Sequence, residues 1–212
     1  VGSFAGKRLC GILLACFFAL PALANKDISK AANALKAGNY EVAQSIATPL
    51  AESGDPDAQL LMGIMAFSGL GVSRDERRAL EFYQMAAEQG QAAAMHNLAS
   101  MHYRGEGVPI NFAKAREWNQ KAAESGLVIA QHDYASMLES GIGGKKDLDG
   151  AARFYDMAAR AGYPNAAFKL ARLMKSGPQA NRQMRLRYLC MAASKGHQQA
   201  KAELGPSIQS CR

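Results

Sequence analysis

Small and apolar residues return along this chain with a fixed period. The segments Leu50-Ala51-Glu52-Ser53-Gly54, Ala86-Ala87-Glu88-Gln89-Gly90, Ala122-Ala123-Glu124-Ser125-Gly126, Ala158-Ala159-Arg160-Ala161-Gly162 and Ala192-Ala193-Ser194-Lys195-Gly196 end in glycines spaced 36, 36, 36 and 34 residues apart. A period of this size marks a repeat architecture. Within each unit Ala58, Ala94, Ala130, Ala166 and Ala200 share one column, and Met62, Leu98, Tyr134, Leu170 and Leu204 follow four residues later. Next come the small residues Gly63, Ala99, Ala135 and Ala171, then Met65, Met101, Met137 and Leu173. Steps of four and three put the first, second and fourth columns on one face of a helix, and the small third column lets a neighbouring helix approach closely.

A glycine turn follows each first helix: Gly69-Leu70-Gly71-Val72, Gly105-Glu106-Gly107-Val108, Gly141-Ile142-Gly143-Gly144 and a degraded Gly177-Pro178. The second helix is expected to start after Asp75, Asn111 or Asp147, whose side chains suit an N-cap. It then carries Ala79, Ala115 or Ala151 and an aromatic column, Phe82, Trp118, Phe154 and Tyr188, expected in the core. Each unit is a helical hairpin with an apolar seam on both helices. One hairpin cannot bury that seam alone, whereas stacked hairpins share a continuous core.

The motif A-x3-L-G/A with its G-x-G-V turn, D/N cap, W/F-Y pair and closing A-A-E-x-G, carried by residues 55 to 162, resembles the Sel-one-like repeat (SLR) family, a relative of the tetratricopeptide repeats. The resemblance implies an all-α, right-handed α/α solenoid of stacked antiparallel hairpins. Its expected parts are a tetratricopeptide-like opening repeat over 25–54, repeats over 55–90, 91–126, 127–162 and 163–196, a capping helix over 197–204 and a tail over 205–212. Two units depart from the pattern. Gly38-Asn39-Tyr40-Glu41-Val42-Ala43 has the shorter tetratricopeptide turn, and the fifth unit has a turn two residues shorter and sets Arg185 where a small Ala belongs.

The N-terminus changes the setting. Lys7 and Arg8 precede the uncharged run from Leu9 to Leu20, and Ala22-Leu23-Ala24 then offers an A-x-A cleavage site before Asn25. This reads as a cleaved signal peptide, with an uncleaved anchor or a lipid on Cys16 as the alternatives. The chain opens on Val1, which fits either a non-standard start codon or a fragment. Export would leave Cys190 and Cys211 in an oxidising compartment, where the pair is expected to be bridged.

Composition agrees with a folded chain. The 212 residues are 49% hydrophobic, which excludes disorder, and four cysteines are too few for a disulfide-built miniprotein. The formal charge of +7 suggests nucleic acid until it is sorted by position. Two of the positive charges sit in the signal segment, residues 25–162 are −3 and residues 163–212 are +8. An exported chain with one basic end points to anionic lipid, polysaccharide or an acidic protein, and not to nucleic acid.

Motifs for catalysis are missing. Exported SLR proteins have been proposed to bind or hydrolyse β-lactams, but no Ser here has Lys three residues on. Lys175-Ser176-Gly177 loosely matches a K-T-G element and sits in a turn. His96 and His102 are six apart on one helix, hence on different faces, so they do not make the i, i+4 metal pair. No cofactor or metal is expected. What remains is a surface. By analogy with tetratricopeptide grooves, first-helix residues that alternate with the seam would line a concave face: Leu60, Ile64 and Phe67, then His96, Ser100 and Tyr103, then His132, Ser136 and Glu139, then Phe168, Arg172 and Lys175. The expected function is a noncatalytic periplasmic scaffold or regulator that holds another envelope protein, or an extended peptide of one, in that groove. Alternatives are a cell-wall or β-lactam-binding protein and a binder of anionic envelope surfaces through the basic C-terminal end.

Overall fold

A computed structural model describes residues 26–176 and 179–211. The apolar N-terminal run, the cleavage pair Ala24 and Asn25, and the Gly177-Pro178 turn lie outside the described residues. Among the described residues eleven α-helices follow one another and no strand occurs. Contacts divide the chain into two compact units, one ending at Ala93 and one beginning at Ala94.

The first unit contains α1 (Lys26–Lys36), α2 (Tyr40–Glu52), α3 (Pro56–Ser68) and α4 (Glu76–Glu88), each packed on the next. Helix α1 buries Ile28, Ala31, Ala32 and Leu35, an i, i+3, i+4, i+7 stripe, and α2 answers with Ala43, Ala47 and Ala51, small enough for close approach. Helix α3 begins where Asp55 Oδ1 accepts from the Asp57 and Ala58 amides at 3.0 and 2.9 Å, with Pro56 fixing the first turn. It ends on Gly69 in the left-handed region, φ 67°. Ten consecutive residues of α3, Ala58 to Phe67, are buried, so the helix is enclosed on all sides. At its centre Gly63 gives up its side-chain space to the ring of buried Tyr83 on α4.

The second unit holds nearly all of α5 (Ala92–Arg104), then α6 (Phe112–Glu124), α7 (Val128–Ser140), α8 (Leu148–Arg160), α9 (Pro164–Leu173), a 3-10 turn (Met174–Ser176), α10 (Gln179–Ser194) and α11 (Gln198–Leu204). The alanine column is sealed here: Ala94, Ala130, Ala166 and Ala200 are at 0% exposure. Second helices start as the sequence suggests, Asn111 Oδ1 accepting from Lys114 N at 3.0 Å and Asp147 Oδ1 from Gly150 N at 2.8 Å. A last 3-10 turn (Gly205–Cys211) brings Cys211 back to α10, where it is disulfide-bonded to Cys190, Cα to Cα 5.3 Å.

One expectation needs correction. The aromatic column is not the deep core: Phe82, Trp118 and Phe154 are half-buried, and only Tyr188 is enclosed. The buried positions are one residue on, at Tyr83, Asn119, Tyr155 and Leu189. The seam of a second helix runs through Ala79, Tyr83 and Ala86, steps of four and three, and this leaves position 82 on its shoulder. Cations cover the shoulder instead, with Arg78 5.7 Å from the Phe82 centroid and Lys121 4.4 Å from that of Trp118.

Candidate functional site

The repeat sets equivalent positions of α5, α7 and α9 side by side within the second unit, and a polar cluster forms among them. Asp133 is its hub. Its Oδ2 lies 2.9 Å from His96 Nε2 on α5, and its Oδ1 lies 2.9 Å from His132 Nδ1. An ionised carboxylate only accepts, so both ring nitrogens carry their protons at this contact. His96 is buried, His132 keeps 16% of its side-chain surface and Asp133 keeps 38%. Burial opposes the charge on Asp133, but hydrogen bonds and charge from His132 and His96 outweigh it and hold the carboxyl down at about 2.

Around this hub the side chains interlock. The His132 ring sits between Tyr155 and Tyr163, centroids 5.6 and 5.1 Å away. The Tyr155 hydroxyl donates to Glu139 Oε2 at 2.8 Å, and Lys169 Nζ stands 3.5 Å from the same oxygen. Burial first, and then Glu139, push the Tyr155 phenol well above its ordinary range, so it remains a donor at any physiological pH. Phe168 is buried and stacks on His197 at 4.4 Å, while Arg172 and Lys175 point into solvent. The outcome is a face with fixed donors and acceptors of both signs. Among the described residues, no group of three His, Cys, Asp or Glu side chains converges as metal ligands would.

The residues expected to line a groove fall in different surroundings. His132, Ser136 and Glu139 come together, with Ser100 half-buried on α5. Tyr103 is exposed, but its ring turns to Phe112 at the repeat turn, centroids 5.2 Å apart. Leu60, Ile64 and Phe67 are 1%, 3% and 7% exposed, which makes them interior and withdraws them from a binding surface. The reason is the enclosure of α3: on a helix covered all round, positions that alternate with the seam are buried too. Asp133, Tyr155, Tyr163 and Lys169 were missed by column reading. For Asp133 and Lys169 a signal was available in the column Asn97, Asp133, Lys169, where the residue type changes from one repeat to the next and so is not dictated by packing.

The basic end is a second feature of this unit. Arg182, Arg187, Lys195 and Lys201 are exposed, and the Arg185 guanidinium pairs with Glu203. A shallow cleft of about 410 Å³, with Arg187, Met191 and Cys211 in its wall, lies beside the disulfide.

Comparison with known proteins agrees with this architecture. A crystal structure of a Sel1 repeat protein from Oxalobacter formigenes superposes with a TM-score of 0.75 at 28% identity, over 88% of this chain and 74% of that one. A protective antigen present in uropathogenic Escherichia coli strains, displaying an SLR fold, gives a TM-score of 0.74 at 28% identity, over 87% of this chain and 41% of the antigen. The sequence has no significant match among curated proteins. The Sel1 repeat model matches four times in succession, over residues 56–91, 92–127, 128–163 and 164–197, each match spanning one of the hairpins described above, and by these four repeats the chain belongs to the Sel1 repeat family.

Proposed function

We propose that this protein is a noncatalytic periplasmic scaffold that holds an extended segment of another envelope protein against the α5, α7 and α9 face of its second unit. Sel1 repeat proteins in general bind protein partners. The observation that supports a specific site is Asp133, fixed between His96 and His132 while over a third of its side chain stays open to solvent. Such a carboxylate is already oriented, so a partner's backbone amide or cation pays little ordering cost to reach it. Glu139, Lys169 and Arg172 add polar contacts of both signs alongside. The Cys190–Cys211 bridge and the N-terminal sequence support export.

Site-specific photocrosslinking in envelope preparations tests this. A benzophenone side chain at Ser136 should capture a discrete partner, and one at the exposed Met85 should not. Loss of that product in Asp133→Ala and Arg172→Glu supports the site, whereas equal capture from both positions sinks it. No turnover of a chromogenic β-lactam is expected, and turnover abolished by denaturation would replace the scaffold with a hydrolase. The exposed Arg182, Arg187, Lys195 and Lys201 favour a second reading, attraction of an anionic envelope surface by the C-terminal end. Its test is whether Arg182→Glu with Arg187→Glu lowers retention on an acidic polysaccharide column.

A further inference from the structure

At the turn between α5 and α6 three apolar side chains face solvent: Ile110 is 59% exposed, Phe112 44% and Tyr103 41%. The Tyr103 and Phe112 rings meet edge to face, and Ile110 lies over the Gly105 bend. Packing within the repeat does not require them. Thirty-six residues earlier the same two columns hold Arg74 and Glu76, which form an ion pair at 2.5 Å, and one repeat later Lys146 stands where Ile110 does. A turn that closes with a salt bridge at these positions closes without Ile and Phe there, so the exposed apolar surface is available for contact with something else.

The charge around the patch narrows what that is. The following turn is held against it: Arg116 donates to the carbonyls of Ile142 and Lys145 at 3.5 and 2.9 Å, and the backbone at Gly143 passes so close to the Phe112 carbonyl that a Cβ would stand 2.1 Å from it. The 143–145 backbone is thereby held against the first turn of α6, with Lys145 and Lys146 exposed on it, and Lys114, two residues after Phe112, is exposed as well. The neighbouring acids are mostly engaged: Glu106 faces Arg104 at 3.9 Å, Glu117 takes Lys121 at 2.8 Å and Asp147 caps α8, leaving Asp149 to offset part of the positive charge.

We infer that this turn is a docking surface for an anionic lipid bilayer, with Ile110, Phe112 and Tyr103 entering the headgroup region and Lys114, Lys145 and Lys146 meeting lipid phosphates. Apolar and aromatic side chains bordered by lysines have the amphipathic composition of an interfacial anchor. They stand on an exposed turn, and an acidic protein segment would satisfy the lysines while leaving the apolar tips uncovered.

Hydrogen exchange of the full chain, with and without vesicles of phosphatidylcholine and phosphatidylglycerol at 7:3, tests the proposal. Amides of 103–116 and 141–147 gain protection at low salt, lose it in 0.5 M salt and show none with phosphatidylcholine alone. In sedimentation, Lys145→Glu with Lys146→Glu weakens binding at least tenfold, since each juxtamembrane lysine is worth roughly fivefold. Ile110→Asp with Phe112→Asp abolishes the local protection, and Arg182→Glu with Arg187→Glu at the far end leaves it intact. All three pairs are surface changes, and an unaltered thermal melt confirms the fold. Protection confined to other residues, or unchanged in the Ile110 and Phe112 variant, overturns the proposal and returns any lipid binding to the N-terminal segment or the basic end.

Discussion

A Cβ placed on Gly63 would stand 2.6 Å from two ring carbons of Tyr83, a residue 1% exposed on the facing helix. The two positions are thus one packing unit. Gly63→Ala forces either the ring or the helix aside and is expected to cost about 1–3 kcal/mol, as overpacking does. Tyr83→Ala empties the site and should cost roughly 3–5 kcal/mol. Combined, the substitutions should cost less than their sum, because the methyl then occupies space the ring has left. Urea titration of the three variants measures this, and strict additivity would refute the coupling.

Much of the architecture is legible in the sequence because the columns that define a hairpin are those with least freedom. The alanines at 58, 94, 130, 166 and 200 all have 0% exposure, since only a methyl fits where helices cross. Errors arose where one residue of rotation decides the outcome. Phe82 and Tyr83 are both aromatic, and sequence identity along the column favours position 82, but the three-four spacing from Ala79 puts 83 inward. The candidate face was harder still. Leu60 and Asp133 both belong to first helices; the former is interior because α3 is covered on every side, and the latter acquires its meaning only through His96, 37 residues away. Periodicity reports which positions repeat, and a site is built from those that do not.

Asp133 makes stability depend on acid in a defined window. Its carboxyl is held down at about 2 in the folded chain against a free value of about 3.9. A depressed carboxyl contributes stability that is fully present above about pH 4 and is lost as pH falls toward 2, because the unfolded chain takes up the proton first. With 38% of its side chain in water the contribution is reduced by screening. Asp133→Asn should therefore be less stable than the parent at pH 5 to 7, with the gap closing below pH 4. Denaturation midpoints at stepped pH provide the comparison; a gap that widens in acid would show that the histidine contacts do not stabilise the ionised form.

Asn111 anchors α6 through a single side-chain acceptor, its Oδ1 3.0 Å from the Lys114 amide. Replacement by Ala leaves that first-turn donor to solvent and should cost about 1 kcal/mol, with Asp or Ser at the position retaining most of the stability. A thermal melt of Asn111→Ala, Asn111→Asp and Asn111→Ser decides it. Equal melting temperatures for all three would mean that the turn holds the helix without its cap.

Cys190 and Cys211 close a loop with a sequence separation of 21, tying the last 3-10 turn to α10. In the chain-entropy view such a loop is worth about 3 kcal/mol, and it matters most where few other contacts hold the backbone. The tail itself buries little: Pro206, Ser207, Ile208 and Gln209 are all exposed. Reduction, or Cys190→Ser with Cys211→Ser, should accordingly free residues 205–211 to rapid hydrogen exchange while the amides of α7 and α8 keep their protection. Peptide mapping under nonreducing conditions should show the two cysteines linked. Free thiols at both positions, or a tail that stays protected after reduction, would show that packing and not the bridge fixes this end of the second unit.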